Sequence, residues 1–230
     1  MRLVLFDIDG TLLNSTGAGR SAMQRALYEV FGSSGDPAYR YDGKTDKQIV
    51  RDVMRLEGHS NEHIDSKMER LLDLYLDALR KGVASRKFNV HPLQGVMEIL
   101  DVLEARDDIV LGLLTGNVEP GARVKLTAAG IDPDRFRINA FGSDHEHRPE
   151  LPAIAQRRAS ESLGLFISGE KMIVIGDTPA DIACGRALGA RAIGVASGYY
   201  TVAQLEAHEP YAVFPSLEST QLVLKTILDA

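Results

Sequence analysis

The chain is predicted to be an α/β protein, a doubly wound parallel sheet with an inserted helical domain, and two observations predict it. Short, continuously apolar runs bounded by Gly, Pro, Asp or Asn alternate with segments of helical periodicity, the pattern of strands covered on both faces by helices. Between Phe6 and Ile109 that alternation stops, and three amphipathic stripes follow one another with no convincing strand.

Leu3 to Phe6 is the first strand. The first helical stripe after it is Ala22, Met23, Ala26, Leu27, Val30 and Phe31; the second is Ile49, Val50, Val53 and Met54; the third is Ile64, Met68, Leu71, Leu72, Tyr75 and Leu79. Thr45 with Gln48 matches a capping box, which places Tyr41 to Lys44 in the loop before the second helix. The chain returns through Phe88 to Leu93, with Pro92 just ahead of a new helix. Residues 1–15 and 91–230 are therefore assigned to the α/β core and 16–90 to a helical cap domain. In the core, further strands are expected at Ile109 to Leu114, Ile138 to Phe141, Met172 to Ile175, Ala192 to Val195 and Ala212 to Phe214. Helices fill the gaps: one with Val96, Ile99, Leu100 and Leu103, one stopped by Gly130, one stopped by Gly164 and one stopped by Gly189.

Composition narrows the functional classes. The 230 residues are 44% hydrophobic and 25% charged, which is ordinary for a globular chain and excludes a disordered or collagen-like one. A net charge of −6 and a pI near 5.5 have the wrong sign for a nucleic-acid or anionic-membrane partner, so any phosphate ligand is held locally. The single Cys184 excludes an internal disulfide and a multi-cysteine metal site. No run reaches signal-peptide or membrane-span length, and the expected location is cytoplasmic.

Three strand ends carry chemistry. Asp7-Ile8-Asp9-Gly10-Thr11 ends the first strand, where alternate residues face one side and Gly10 lets the chain turn away. Thr115-Gly116-Asn117 ends the second, just before a helix opened by Glu119-Pro120; it is either a phosphate cradle or an ordinary capped helix entry. Gly176-Asp177-Thr178-Pro179-Ala180-Asp181 ends the fourth. Asp7, Asp9, Thr115 and Asp177 thus fall at the same end of one expected sheet, and converging hard carboxylate oxygens suit Mg²⁺.

Asp-x-Asp-Gly-Thr, then Thr-Gly-Asn, then Gly-Asp-x-x-x-Asp resembles the haloacid dehalogenase-like (HAD) hydrolases, in order and spacing, over nearly the whole chain. The helical insertion looks like the cap of phosphoglycolate phosphatase-like and β-phosphoglucomutase-like members. The resemblance implies an Mg²⁺-dependent phosphatase acting on a small phosphorylated metabolite, with Asp7 as nucleophile forming an aspartyl-phosphate and Asp9 as general acid and then base. It implies that Thr115, Gly116 and Asn117 bind the phosphoryl group, and that Asp177, Asp7 and the Asp9 carbonyl hold the metal with support from Asp181. The family's third motif is a Lys or Arg after the third strand; Arg148-Pro149 matches it, with Lys171 as the alternative. Arg keeps the charge but grips oxygens bidentately. Asp42 and Lys44 are assigned to the cap loop that reads the leaving group. The alternatives are a phosphosugar mutase using the same two acids, a phosphonoacetaldehyde hydrolase with Lys44 as Schiff-base lysine, and a non-catalytic module that binds a phosphorylated ligand. A dehalogenase has no use for the metal site.

Four other features are set aside. Gly43-Lys44-Thr45 lacks the first glycine and the strand of a P-loop, and Gly17-Ala18-Gly19-Arg20-Ser21-Ala22 is too far from the first strand for a dinucleotide fingerprint and is read as a cap hinge. His145 and His147 are taken as solvated loop residues, and Cys184 as a small packed residue.

Overall fold

The computed structural model describes residues 1–164 and 166–230. The chain opens with β1 (Arg2–Phe6) and a two-residue strand β2 (Leu13–Asn14), then forms α1 (Ala18–Phe31), α2 (Asp46–Leu56) and α3 (Asn61–Ala84). A second short strand, β3 (His91–Pro92), leads into α4 (Val96–Glu104), β4 (Ile109–Thr115), α5 (Glu119–Ala128), β5 (Ile138–Phe141) and α6 (Leu151–Leu163). The remaining elements are β6 (Met172–Gly176), α7 (Pro179–Cys184), β7 (Arg191–Val195), α8 (Val202–Glu206), β8 (Ala212–Phe214) and α9 (Thr220–Asp229). Six strands make one sheet in the order β5-β4-β1-β6-β7-β8, every neighbour parallel. This is the doubly wound α/β fold expected.

β1 is central because both of its faces are apolar. Val4 and Phe6 pack in a cluster with Val96 and Ile99 of α4 and Val223 and Ile227 of α9, whereas Leu3 and Leu5 pack with Leu151, Ala155 and Ala159 of α6. Successive side chains point to opposite faces, so one four-residue run anchors two helical layers. Each such buried side chain contributes about 1.5–3 kcal/mol. No helix among the described residues is long and apolar enough to cross a membrane.

The three inserted helices bury their stripes in a separate cluster that includes Met23, Leu27, Val53, Leu71 and Tyr75. Thr45 Oγ1 accepts a hydrogen bond from the Gln48 amide and so caps α2, although the reciprocal half of the expected capping box is missing. Where the inserted segment leaves and rejoins the sheet, Leu13 pairs with Pro92 and Asn14 with His91 in a small antiparallel ribbon. Two-residue strands carry no periodicity, so nothing in the sequence announced it. The expected hinge at Gly17 to Ala22 is also corrected: Gly17 caps α1 at a φ of 83°, and Ala18 onward is regular helix.

Candidate active site

Strand register builds the site. Phe6 lies level with Leu113 of β4 and with Ile175 of β6, so Asp7, Thr115 and Asp177 emerge side by side at the carboxyl edge. The Asp7 amide donates to the Ile175 carbonyl at 2.9 Å, which holds the first residue beyond β1 against the sheet. Asp7, Asp9, Thr115, Gly116, Asn117, Arg148 and Asp177 line one cavity of about 250 Å³, closed on its other side by Arg20, Asp42, Lys44, Asp46 and Tyr75 from the inserted segment.

Asp7, Asp177 and Asp181 each offer a carboxylate oxygen, and these oxygens lie within 4.8 Å of one another. Burial, opposed in part by Arg148, pushes the Asp7 carboxyl well above its ordinary range, and burial together with the charges of Asp181 and Asp7 raises Asp177 further still. Arg148 is the cation among them: its Nη2 donates to Asp7 at 3.0 Å, to the Leu114 carbonyl at 3.2 Å and to Asp181. Arg148, not the exposed Lys171, enters the site. It is 4% exposed and reaches these acids from a 3-10 turn, Arg148–Glu150, just ahead of α6.

Asp181 is tied into local structure. Its Oδ2 accepts from the Thr178 amide at 2.9 Å and from the Thr178 hydroxyl at 2.6 Å, closing a capping box at the start of α7, while Oδ1 accepts from Arg148. Both oxygens of Asp181 are thus engaged within the protein. The backbone crowds Asp177 as well: a Cβ built on Gly198 would lie 1.7 Å from its Oδ2, and one on Gly10 would lie 2.4 Å from the same atom. Two glycines are required if the carboxylate is to keep this place.

Asp9 stands outside that acidic cluster, against the expectation of a single ring of acids. Its carboxylate accepts from Lys125 Nζ at 2.6 Å, from Asn117 at 2.9 Å and from Ser15 at 2.9 Å. Burial works to raise its pKa, but Lys125 and these hydrogen bonds outweigh it and hold Asp9 below the ordinary value. Asn117 also donates to Thr115 Oγ1 at 2.9 Å, so the Thr-Gly-Asn turn is locked to Asp9.

Three residues facing the cavity escaped the sequence reading. Lys125 left one signal, a charge on the stripe of α5 that buries Gly121, Ala122 and Leu126. Asp46 left none; it is buried at the start of α2 and accepts from the Val118 amide at 2.8 Å, joining the inserted helices to the start of α5. Tyr75 was counted as core, which it is, yet its ring ends at the cavity.

The two residues assigned to the cap loop line the cavity, but their charged ends point elsewhere. Asp42 pairs with Arg40 at 2.9 Å, and the Lys44 ammonium is held by Asp52 at 3.0 Å and by Tyr39. The amine proposed for a Schiff base is thus engaged within the inserted segment. His145 and His147 sit 5.6 Å apart on a loop and belong to no metal-binding group among the described residues. Cys184 is buried, and burial pushes its thiol up to about 12.

The haloacid dehalogenase-like hydrolase family matches residues 4–195, a span that contains all three acidic and hydroxyl motifs. The chain belongs to this family. Among its HAD-like relatives is a phosphoglycolate phosphatase of Rhodospirillum rubrum, 27% identical over 233 residues and covering 94% of this chain and 89% of that one. The fold is similar to that of a hydrolase from Pseudomonas syringae, with a TM-score of 0.74 at 22% identity over 99% of both chains. It is also similar to that of CbbY from Rhodobacter sphaeroides, solved in complex with phosphate, with a TM-score of 0.73 at 18% identity over 95% of this chain and 96% of that one.

Proposed function

We propose that the protein is an Mg²⁺-dependent phosphatase of small phosphomonoesters, with residues 1–15 and 91–230 as its catalytic core and 16–90 as a cap over the site. The observation that carries this reading is the packing of Asp7, Asp177 and Asp181 within 4.8 Å around a single arginine. A divalent cation fits that arrangement: hard oxygen donors converge, and burial first, with repulsion among the acids second, raises the carboxyls of Asp7 and Asp177 despite the one guanidinium beside them. Asp7, Asp177 and the Asp9 carbonyl would hold Mg²⁺, which when bound supplies charge neutralisation to a phosphoryl oxygen.

The residues themselves divide the reaction in two. In the first half Asp7 attacks phosphorus in line; an aspartyl-phosphate bond forms, the bond to the leaving oxygen breaks, and Asp9 delivers a proton to the departing alcohol. In the second half Asp9 takes a proton from water, which displaces phosphate and regenerates Asp7. Held low by Lys125, resting Asp9 is in the base form that the second half uses. An anionic phosphoryl group arriving beside it opposes Lys125 and favours the protonated form that the first half needs. Thr115, Gly116, Asn117 and Arg148 orient the transferring group, and a cavity of about 250 Å³ suits a small leaving group.

The relative from Rhodospirillum rubrum makes phosphoglycolate a natural first substrate in a panel of phosphorylated metabolites. The deciding experiment is release of inorganic phosphate from an aryl phosphate with and without Mg²⁺. Activity is expected only with the metal, and Asp7→Asn should abolish it with the fold retained. A wild type as inert as the variant would point instead to a phospho-ligand binding module, and an isomerised phosphosugar without free phosphate would point to a mutase.

A further inference from the structure

The side of the cavity away from the carboxylate cluster holds hydrogen-bonding groups that the reaction above does not use. Tyr75 of α3 is 1% exposed, and its hydroxyl has no hydrogen-bond partner. A buried phenol without a partner is a liability for folding unless something bound later satisfies it. Burial, with the charges of Asp46 and Asp9, pushes its pKa well above the ordinary tyrosine value, so it remains a donor. Lys125 of α5 gives two of its three N–H groups to Asp9 and Asn117, both at 2.6 Å. These two donors meet beside Gly19: a Cβ there would lie 3.0 Å from Lys125 Nζ and 3.8 Å from the Tyr75 oxygen. Beside them stands Asp46, whose Oδ2 takes the Val118 amide and whose charge acts on the Tyr75 hydroxyl without closing a hydrogen bond to it.

We propose that Tyr75, Lys125 and Asp46 form a leaving-group subsite that takes a hydroxyl, so that the preferred substrates are phosphate esters of polyols or other hydroxylated short chains. This rests on the phosphatase reading above. A hydroxyl accepts from Tyr75 or Lys125 and donates to Asp46, completing the set. A carboxylate in the same place has nothing to donate and faces two carboxylates, Asp9 and Asp46, while Lys125 is already paired with Asp9. Arg20 lines the cavity too, but it donates to the Pro37 and Tyr39 carbonyls and lies over the Tyr41 ring.

Three esters that differ only at the far carbon test this: 2-hydroxyethyl phosphate, ethyl phosphate and phosphoglycolate. With Mg²⁺ present, wild type should prefer the hydroxyethyl ester to the ethyl ester by at least about tenfold in kcat/KM. Tyr75→Phe should reduce that ratio by about fivefold, mainly through KM, without lowering the unfolding temperature, because the hydroxyl it removes has no partner in the free protein. Asp46→Asn should shift the ratio of phosphoglycolate to hydroxyethyl phosphate toward phosphoglycolate. A preference for phosphoglycolate in wild type, or a Tyr75→Phe variant that loses all three activities in equal proportion, overturns the subsite. A wild type inert toward all three sinks the phosphatase reading and the subsite with it, whereas equal cleavage of all three sinks the subsite alone.

Discussion

Replacing Arg148 by Met tests how the buried acids are held together. Met keeps most of the volume of the stem while removing the guanidinium, whose Nη2 donates to Asp7, Asp181 and the Leu114 carbonyl. At an effective dielectric of 20, opposite charges 3.0 Å apart attract by about 5–6 kcal/mol. Desolvation of the guanidinium offsets part of that attraction, so orphaning the acids should destabilise the fold by about 3–5 kcal/mol. The deficit must depend on pH. Asp7 and Asp177 already titrate above their unfolded values, so the folded state binds more protons than the unfolded one over that range. Their contribution to stability is therefore full in acid and is lost as pH rises through the folded values. Without Arg148 those values climb further, so the deficit should be small near about pH 4 and grow as pH rises past about 6 and on toward about 9. Urea unfolding of both proteins across that range, in chelator and again with Mg²⁺, measures it; the metal should recover part of the loss. An equal deficit at both ends of the range would mean that Arg148 acts through packing alone, and the electrostatic account of the site would fail.

Gly198→Ala places a Cβ 1.7 Å from Asp177 Oδ2, so Mg²⁺ affinity, read by calorimetry, should fall by about 10–100-fold. Unchanged affinity would remove Asp177 from the metal site. Burial raises the Asp46 carboxyl from 3.8 to about 6, which makes its ionisation in the fold unfavourable by about 3 kcal/mol. Wild-type stability from this group is present below 3.8 and lost as pH rises through about 6, so Asp46→Asn should gain on wild type across that window in thermal melts; a flat difference refutes the assignment. Gly116→Ala would bring a Cβ 2.0 Å from the Lys44 carbonyl and force the start of α2 off the edge of the sheet. Loss of about a hundredfold in kcat/KM with native circular dichroism is expected, and retained activity would show that the contact is dispensable.

Six strands and the helices from α1 to α7 were legible because each is written in neighbouring residues: continuous apolar runs for strands covered on both faces, and three-to-four spacing for helices; α8 and α9, past the last expected helix, were not read. The site was legible where it follows a strand, since Asp7, Thr115 and Asp177 each terminate one. The β2–β3 ribbon was not, because its two-residue strands are made only by segments meeting from distant parts of the chain. The resemblance places Asp181 in support of the metal, and the structure adds a helix cap, of which Thr178 three residues earlier is the signature.

By itself, then, the order of residues determined the layered sheet, the inserted helices and the rim on which the acids stand, since these depend on local periodicity and on where each strand ends. Tertiary packing alone decided that Lys125 answers Asp9, that Arg148 bridges Asp7 and Asp181, and that Lys44 turns away toward Asp52. A side chain's partner is chosen by distance and desolvation in the folded molecule, and Lys125 and Asp9 are 116 positions apart along the chain. No pattern among neighbours encodes such a meeting; the sheet order and the packing of α5 against the inserted helices do.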